Sequence, residues 1–314
     1  MEPISYTYIA IDVAKEEHWV QTPDEQAFGI LNDETGFRQL LRRIQHLPNP
    51  CIVVESTGAY QRPLMRFLYR EKVEVIEVNP AQVRHLARSD GQKAKNDAID
   101  AKVLLRFAQE KKLKPMPAPS PEQLELKDWL DRRAQLTEAI AREKNRLEKK
   151  PEHTQDSIKR VLKCLQEELK EVEKQIENLI DSDPDLKSKQ KIMTEISGVG
   201  KVTAWTLQAE LPELTKINRN EAVALSGIAP YDHDSGKNHK KRKIYGGRAK
   251  VRKTLYMATQ TATIHNDHLR KYFTRLRSKG KPYKVAMVAA MRKLLIHIQS
   301  QLRKNSQSLA SLAS

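Results

Sequence analysis

Four prolines stand within ten residues, KPMPAPSPEQ at 114–123, and no helix can run through them. Each ring removes a backbone donor and clashes with the turn before it. Whatever folds ahead of this stretch must therefore close on itself, and the apolar pattern changes across it. Short β-rich runs precede it and long charged helices follow. At 314 residues the chain can form two domains, each with its own core.

Ahead of the prolines, YTYIAIDVA (6–14), HWVQTPD (18–24) and AFGILND (27–33) are separated by a few polar residues each, which predicts a three-strand antiparallel meander. TGFRQLLRRIQHL reads as a helix. CIVVES (51–56) and VEVIEVN (73–79) read as two more strands, with a helix between them, another at PAQVRHLA, and a last one at 96–109. The order βββαβαβα, with right-handed crossovers, describes a mixed sheet covered by helices. This is the element order of the RNase H fold, and residues 1–114 are assigned to such a domain.

Residues 115–185 read as the linker followed by two helical arms divided at Pro151. In the second arm Ile158, Leu162, Leu165, Leu169, Val172, Ile176 and Leu179 recur at alternating spacings of four and three, the seam of a coiled coil. Trp129, Leu136, Ile140 and Leu147 are a weaker version in the first arm. The arms can fold back as a hairpin or pair with another protomer. Residues 186–314 read as all-helical, and ISGVGKVTAWTLQAEL (196–211) places Gly198, Gly200 and Lys201 at a helix-hairpin-helix-like turn, where backbone N–H groups can face a phosphate.

The formal charge of +16 is not spread evenly. Residues 1–114 hold 17 Lys/Arg against 16 Asp/Glu and residues 115–189 hold 15 against 17, whereas residues 190–314 hold 24 against seven. A solvated face would interleave acids, so the last segment points to a polyanionic partner, nucleic acid. Its densest run holds Lys237, Lys240, Lys241, Arg242, Lys243, Arg248, Lys250, Arg252 and Lys253 without an acid among them. The two cysteines, in unlike contexts, suggest neither a disulfide framework nor a zinc site. No apolar stretch reaches the roughly 20 residues that span a bilayer, which excludes a membrane partner and leads us to expect a soluble, cytoplasmic protein.

Asp12 interrupts the apolar run IAIDVAK, where a carboxylate is costly unless compensated. A divalent ion would compensate it. Glu55 closes the run CIVVES at the carboxyl end of a strand, where ligands collect in open sheets, and Asp97 and Asp100 share one face at the start of a helix. Singly, each has a structural alternative: Asp97 as N-cap, Asp100 as a first-turn dipole partner, Glu55 as a solvent group. Together, hard oxygen ligands suit Mg²⁺ or Mn²⁺, and a metal pair about 4 Å apart clamps the oxygens of a phosphoryl transfer.

With IAIDVAK, VVESTGAYQRPL, KNDAIDAKVLLRFA, ISGVGKVTA and SGIAPYDHDSGK in this order over almost the whole chain, the protein resembles the DEDD transposases of the insertion sequence 110 family. The resemblance implies a Holliday-junction-resolvase-like RNase H domain, a central coiled coil, and a helical domain with a nucleophilic serine. It places the metal-binding and catalytic tetrad on Asp12, Glu55, Asp97 and Asp100 and the nucleophile on Ser235, in APYDHDSGK. Ile228 stands before Ala229 and Pro230 where family members often carry Leu. Further implied are donor and target double-stranded DNA, a structured guide (bridge) RNA, dimers assembling into a tetramer, and a nucleoid-associated place in a prokaryotic cell.

Read without the resemblance, Ser-Gly is also a common turn pair, and Ser197 and Ser226 are likewise followed by glycine. Ser235 alone lies against the basic run. Acids and serine together describe a recombinase working through a covalent phosphoserine, and the resemblance implies that it is RNA-guided. The alternatives are a metal-dependent Holliday-junction-type endonuclease with Ser235 a bystander, and a non-catalytic nucleic-acid-binding scaffold.

Overall fold

The computed structural model describes residues 5–55, 60–89, 97–149, 151–231 and 242–312; the side chains of 97, 98 and 306–312 are outside that description. The chain divides into two compact units, Met1–Pro119 and Ser120–Ser314, with the boundary inside the four-proline stretch.

The first unit is built on a five-stranded sheet. β1 (Thr7–Asp12), β2 (Glu17–Gln21) and β3 (Phe28–Leu31) form the antiparallel meander, each a few residues shorter than the apolar pattern suggested. β4 (Pro50–Glu55) and β5 (Glu74–Val78) add in parallel, giving the order β3-β2-β1-β4-β5. Four helices accompany them: α1 (Glu34–Ile44), α2 (Arg62–Arg70), α3 (Pro80–Ser89) and α4 (Asp97–Lys111). The alternation of side chains along β1 and β4 sorts the core into two layers. Ile9, Ile11, Ile52 and Val54 pack with Phe37, Leu40, Leu64 and Phe67 of α1 and α2. Ala10 and Val53 pack on the other face with Val83 of α3 and Leu104 and Ala108 of α4. A mixed sheet covered on both faces is consistent with the RNase H-like expectation.

The second unit is mostly helical. α5 (Pro121–Lys149) and α6 (Glu152–Ser182) run antiparallel: Arg133 meets Glu173 at 2.8 Å, and Leu126 and Leu136 near one end share a cluster with Val172, Ile176 and Ile180. α7 (Pro184–Thr194) starts on an Asp183 cap that accepts from the N–H groups of Asp185 and Leu186. α8 (Lys201–Glu210), a 3₁₀ turn (Pro212–Thr215), α9 (Arg219–Leu225), α10 (Ala249–His265), α11 (Asp267–Ser278) and α12 (Tyr283–Leu312) complete the helices. Their core joins Leu207, Val223, Leu255, Ala262, Leu269, Leu294 and Ile298. The all-helical expectation needs one correction: β6 (Pro230–Tyr231) and β7 (Lys243–Ile244) pair as a two-residue antiparallel ribbon, because the chain must be brought back on itself at the two ends of 232–241. Among the described residues no helix is long and apolar enough to cross a membrane.

Gly198 is set by packing. Its φ is +96°, and an added Cβ would stand 2.5 Å from the Cα of Ala262 on α10. Gly198→Ala is expected to lower the unfolding free energy by about 1–3 kcal/mol in a urea titration, through positive φ and overpacking together. His18 is fully buried on β2, its ring stacked at 7° on Phe37 and its Nδ1 accepting from the Ala14 N–H at 3.3 Å. Burial lowers its pKa below the ordinary 6.5, against smaller opposing contributions from Asn32 and the Ala14 backbone. The unfolded chain therefore takes up the proton first as pH falls, and stability present above pH 6.5 is lost below it. Denaturation midpoints between pH 8 and pH 5 should fall, and fall less in a His18→Gln variant.

Candidate functional site

The parallel register of β1 and β4 places two of the expected acids. Ile11 stands opposite Val54, so the next position along brings Asp12 beside Glu55, on strands about 5 Å apart. Asp12 follows Ala10 and Glu55 follows Val53 by two residues, which puts both carboxylates on the face that α4 covers. Both are half-buried, so the fully buried aspartate suggested by IAIDVAK is instead a carboxylate at the rim of the core, where the apolar cover ends with the strand.

α4 supplies the other two. The Tyr8 hydroxyl, near the start of β1, donates to the Leu113 carbonyl just past the end of α4 at 2.6 Å. Helix and strand therefore run in opposite senses, and α4, 15 residues and about 22 Å long, spans the roughly 20 Å of β1. Its first turn, with Asp97 and Asp100, thus falls at the end of the sheet that carries Asp12 and Glu55. Asp100 is half-buried, and the side chain of Asp97 is outside the described residues. Asp12, Glu55 and Asp100 each make at least one polar or electrostatic interaction. Among the described residues no three His, Cys, Asp or Glu side chains close to the spacing of a metal cluster. By donor type alone the four acids suit a hard divalent cation.

The serine and the head of the basic run lie elsewhere in the chain. Ser235, Lys237, Lys240 and Lys241 fall outside the described residues, and what the structure shows is the base from which they emerge. There the rings of Tyr231 and Tyr245, both exposed, pack at a tilt of 45° with centroids 4.7 Å apart, and Arg242 and Lys243 are exposed at the start of the returning strand. Gly227 and Gly247 both have positive φ, and a Cβ on Gly247 would stand 2.3 Å from the Gly227 nitrogen. This close approach fastens the returning chain to the end of α9, reinforced by the Arg248 N–H donating to the Leu225 carbonyl at 2.7 Å.

Three cations of the basic run that were expected to contact nucleic acid have partners inside the protein. The Arg248 guanidinium donates to the Glu210 carbonyl at 2.7 Å and lies 2.6 Å from the buried Glu213 carboxylate. Lys250 bridges Asp131 on α5 and Glu210, the latter at 2.9 Å. Burial alone would lower the Lys250 pKa, but the two carboxylates together outweigh it and raise the pKa, holding the charge on the ammonium. Arg252 donates to the carbonyls of Gly246 and Gly227 at 2.6 and 3.3 Å. Lys253 is exposed and makes no ion pair among the described residues. At the α7–α8 turn, Gly198 is committed to packing, Lys201 pairs with Glu177 at 2.7 Å, and Gly200 caps α8 with nothing within 4 Å of a notional Cβ. The sequence reading missed Asp131, Glu210 and Glu213 as anchors. For Glu210 and Glu213 scarcity was the available signal, since residues 190–314 contain only seven acids to set against 24 cations, whereas nothing in the pattern marks Asp131.

Arg248→Ala would strand the Glu213 carboxylate in the core. With the guanidinium itself partly exposed, a loss of about 1–3 kcal/mol is expected in thermal or urea unfolding, whereas Lys253→Ala should leave stability unchanged.

Two family models match the chain. One, for DEDD transposases of the IS110 type and described as "Transposase", matches residues 9–150; the other, described as "Transposase IS116/IS110/IS902 family", matches residues 190–274. Asp12, Glu55, Asp97 and Asp100 fall in the first match, and Gly198, Gly200, Ser235 and the basic run in the second. The "Pilin gene-inverting protein" of Moraxella lacunata is 26% identical over 313 residues, covering 96% of this chain and 97% of that protein, and the protein of the same description from Moraxella bovis gives the same figures.

Proposed function

Because the chain belongs to the IS110 family of transposases, we propose that it cuts and rejoins DNA strands through a covalent link to Ser235, using the four acids to hold the divalent ion the reaction needs. One observation carries the reading: the β1–β4 register and the sense of α4 bring Asp12, Glu55 and the first turn of α4, with Asp97 and Asp100, to one end of one sheet. The Moraxella relatives carry a name that refers to inverting a pilin gene, and DNA inversion is strand exchange of this kind.

Asp12, Glu55, Asp97 and Asp100 would hold Mg²⁺ or Mn²⁺, which when bound supplies Lewis acidity to a phosphoryl oxygen. The chain's own residues do the rest. The Ser235 Oγ attacks phosphorus, its proton is lost to a base, the new Oγ–P bond replaces the bond to one strand oxygen, and that oxygen leaves as a hydroxyl. Attack by a hydroxyl from another strand on the phosphoserine breaks the Oγ–P bond, joins the new strand and frees the serine, so the phosphoester bond energy is kept. Arg242, Lys243 and Lys253, with Lys237, Lys240 and Lys241 of the loop, contact the backbone. Arg248, Lys250 and Arg252 position the loop through the acids and carbonyls they hold. Gly200 and Lys201 contact phosphate at the α7–α8 turn, read as a helix-hairpin-helix. The α5–α6 pair, with its heptad seam, is read as an antiparallel coiled coil between an RNase H-like domain of residues 1–114 and a catalytic helical domain of residues 186–314. Donor and target duplexes, a structured bridge RNA and a dimer-to-tetramer assembly complete the proposal. Exchange between two duplexes requires more than one nucleophile.

The test incubates the protein and its candidate RNA with end-labelled donor and target duplexes in Mg²⁺ and resolves the products on a denaturing gel. A protein–DNA adduct is expected for the wild type and in neither Ser235→Ala nor Asp12→Asn, with an activity loss of at least about 10³-fold, the scale typical for removing a nucleophile. Cleavage that survives Ser235→Ala and is lost in Asp12→Asn would replace this reading with a hydrolytic endonuclease.

A further inference from the structure

The basic excess of the second unit has a second centre. From His268 to Ser314 the chain carries 11 Lys/Arg and no Asp or Glu, more than the nine of the run 237–253. Lys271 and Arg275 on α11, Lys279 and Lys281 in the turn after it, and Lys284 and Lys293 on α12 are all exposed, and none makes an ion pair among the described residues. Like charges are held together here. The Arg275 guanidinium and the Lys293 ammonium both lie over the ring of Tyr272, at 5.4 and 4.6 Å from its centroid. This arrangement gathers two cations from different helices at one ring, with no carboxylate paired to either among the described residues, which favours an external anion.

The strip reaches toward the loop base. Tyr283, at the start of α12, interacts through its side chain with Tyr256 on α10, only one turn beyond Lys253. The basic turn 279–284 therefore lies about 10 Å along α10 from the first residues after the ribbon.

We infer that α11 and the α11–α12 turn form a second nucleic-acid surface that tracks the phosphate backbone of duplex DNA flanking the site of strand exchange. This rests on the proposed reading of the chain as a DNA recombinase. Three features select the partner. α11, 12 residues and about 18 Å long, matches the axial length of about five base pairs. Tyr272 is covered by its two cations and Phe273 packs edge-on against Tyr283 at 5.6 Å, which leaves little aromatic face for stacking single-stranded bases. The strip also continues to the base of the loop carrying Ser235, whose proposed target is DNA.

The experiment measures binding of the full chain to a short fluorescent DNA duplex by anisotropy, in EDTA, over a salt series. The quadruple variant Lys271→Gln, Arg275→Gln, Lys279→Gln, Lys284→Gln should bind more weakly, with the slope of log K against log salt shallower by about 3.6, near 0.9 for each phosphate contact removed. Circular dichroism melting checks that it folds. Should it not, the pair Lys279→Gln, Lys284→Gln in the exposed turn should flatten the slope by about two. An unchanged slope in folded variants, or a loss seen with an RNA duplex and not with DNA, overturns the inference while leaving the recombinase reading standing. Wild-type protein that binds no duplex DNA at any salt, with its candidate RNA present or absent, overturns both.

Discussion

The parallel ladder between β1 and β4 is the constraint on which the acidic site depends. Its register brings Asp12 and Glu55 level on neighbouring strands, and because both follow inward-facing residues by two positions they emerge on one face. A slip of one residue would turn one of them to the α1–α2 layer. The register is held by the cores on both sides, since Ile9, Ile11, Ile52 and Val54 would all exchange layers with it. α4 is then fixed from its far end by the Tyr8–Leu113 hydrogen bond and from beneath by Leu104 and Ala108. Two acids come from strand ends and two from a helix start, so neither element alone can form the site.

In the second unit the governing interactions are electrostatic. Asp131, Glu210 and Glu213 spend their charges on Lys250 and Arg248, and these pairs tie the entrance of α10 to α5 and to the end of α8. Arg252 does the same with the carbonyls of the glycine turns. A basic run that looks uniform in sequence is thus divided in space. Its C-terminal half anchors the ribbon from which 232–241 emerges, while Lys243 and Lys253 remain exposed. The result is a ribbon anchored on both of its strands, and exposed cations along α11 and the start of α12 that the internal acids do not reach.

Much of the first unit was legible because alternation and helix periodicity are local properties. The order βββαβαβα, the break at the prolines and the acids at element ends could all be read from residues next to one another. The heptad residues were equally visible: Leu162 is buried, and Val172 and Ile176 are buried in one cluster with Leu126 and Leu136 of α5. What misled was charge. Lys and Arg look alike in sequence whether they face a phosphate or a buried carboxylate, and Arg248 and Glu213 are 35 positions apart. Gly198 shows the same ambiguity for glycine, where a turn read as open to phosphate is closed by Ala262.

The sequence by itself therefore determined the elements, their order, the candidate acids and serine, and the location of the positive charge in residues 190–314. Each of these follows from local pattern or composition. Only the tertiary structure decided which acids share an end of the sheet, which cations are held by internal partners and which remain exposed, and that Gly198 serves packing. Those outcomes depend on contacts between residues tens to more than a hundred positions apart, such as Tyr8 with Leu113 or Asp131 with Lys250, and no periodicity along the chain encodes them.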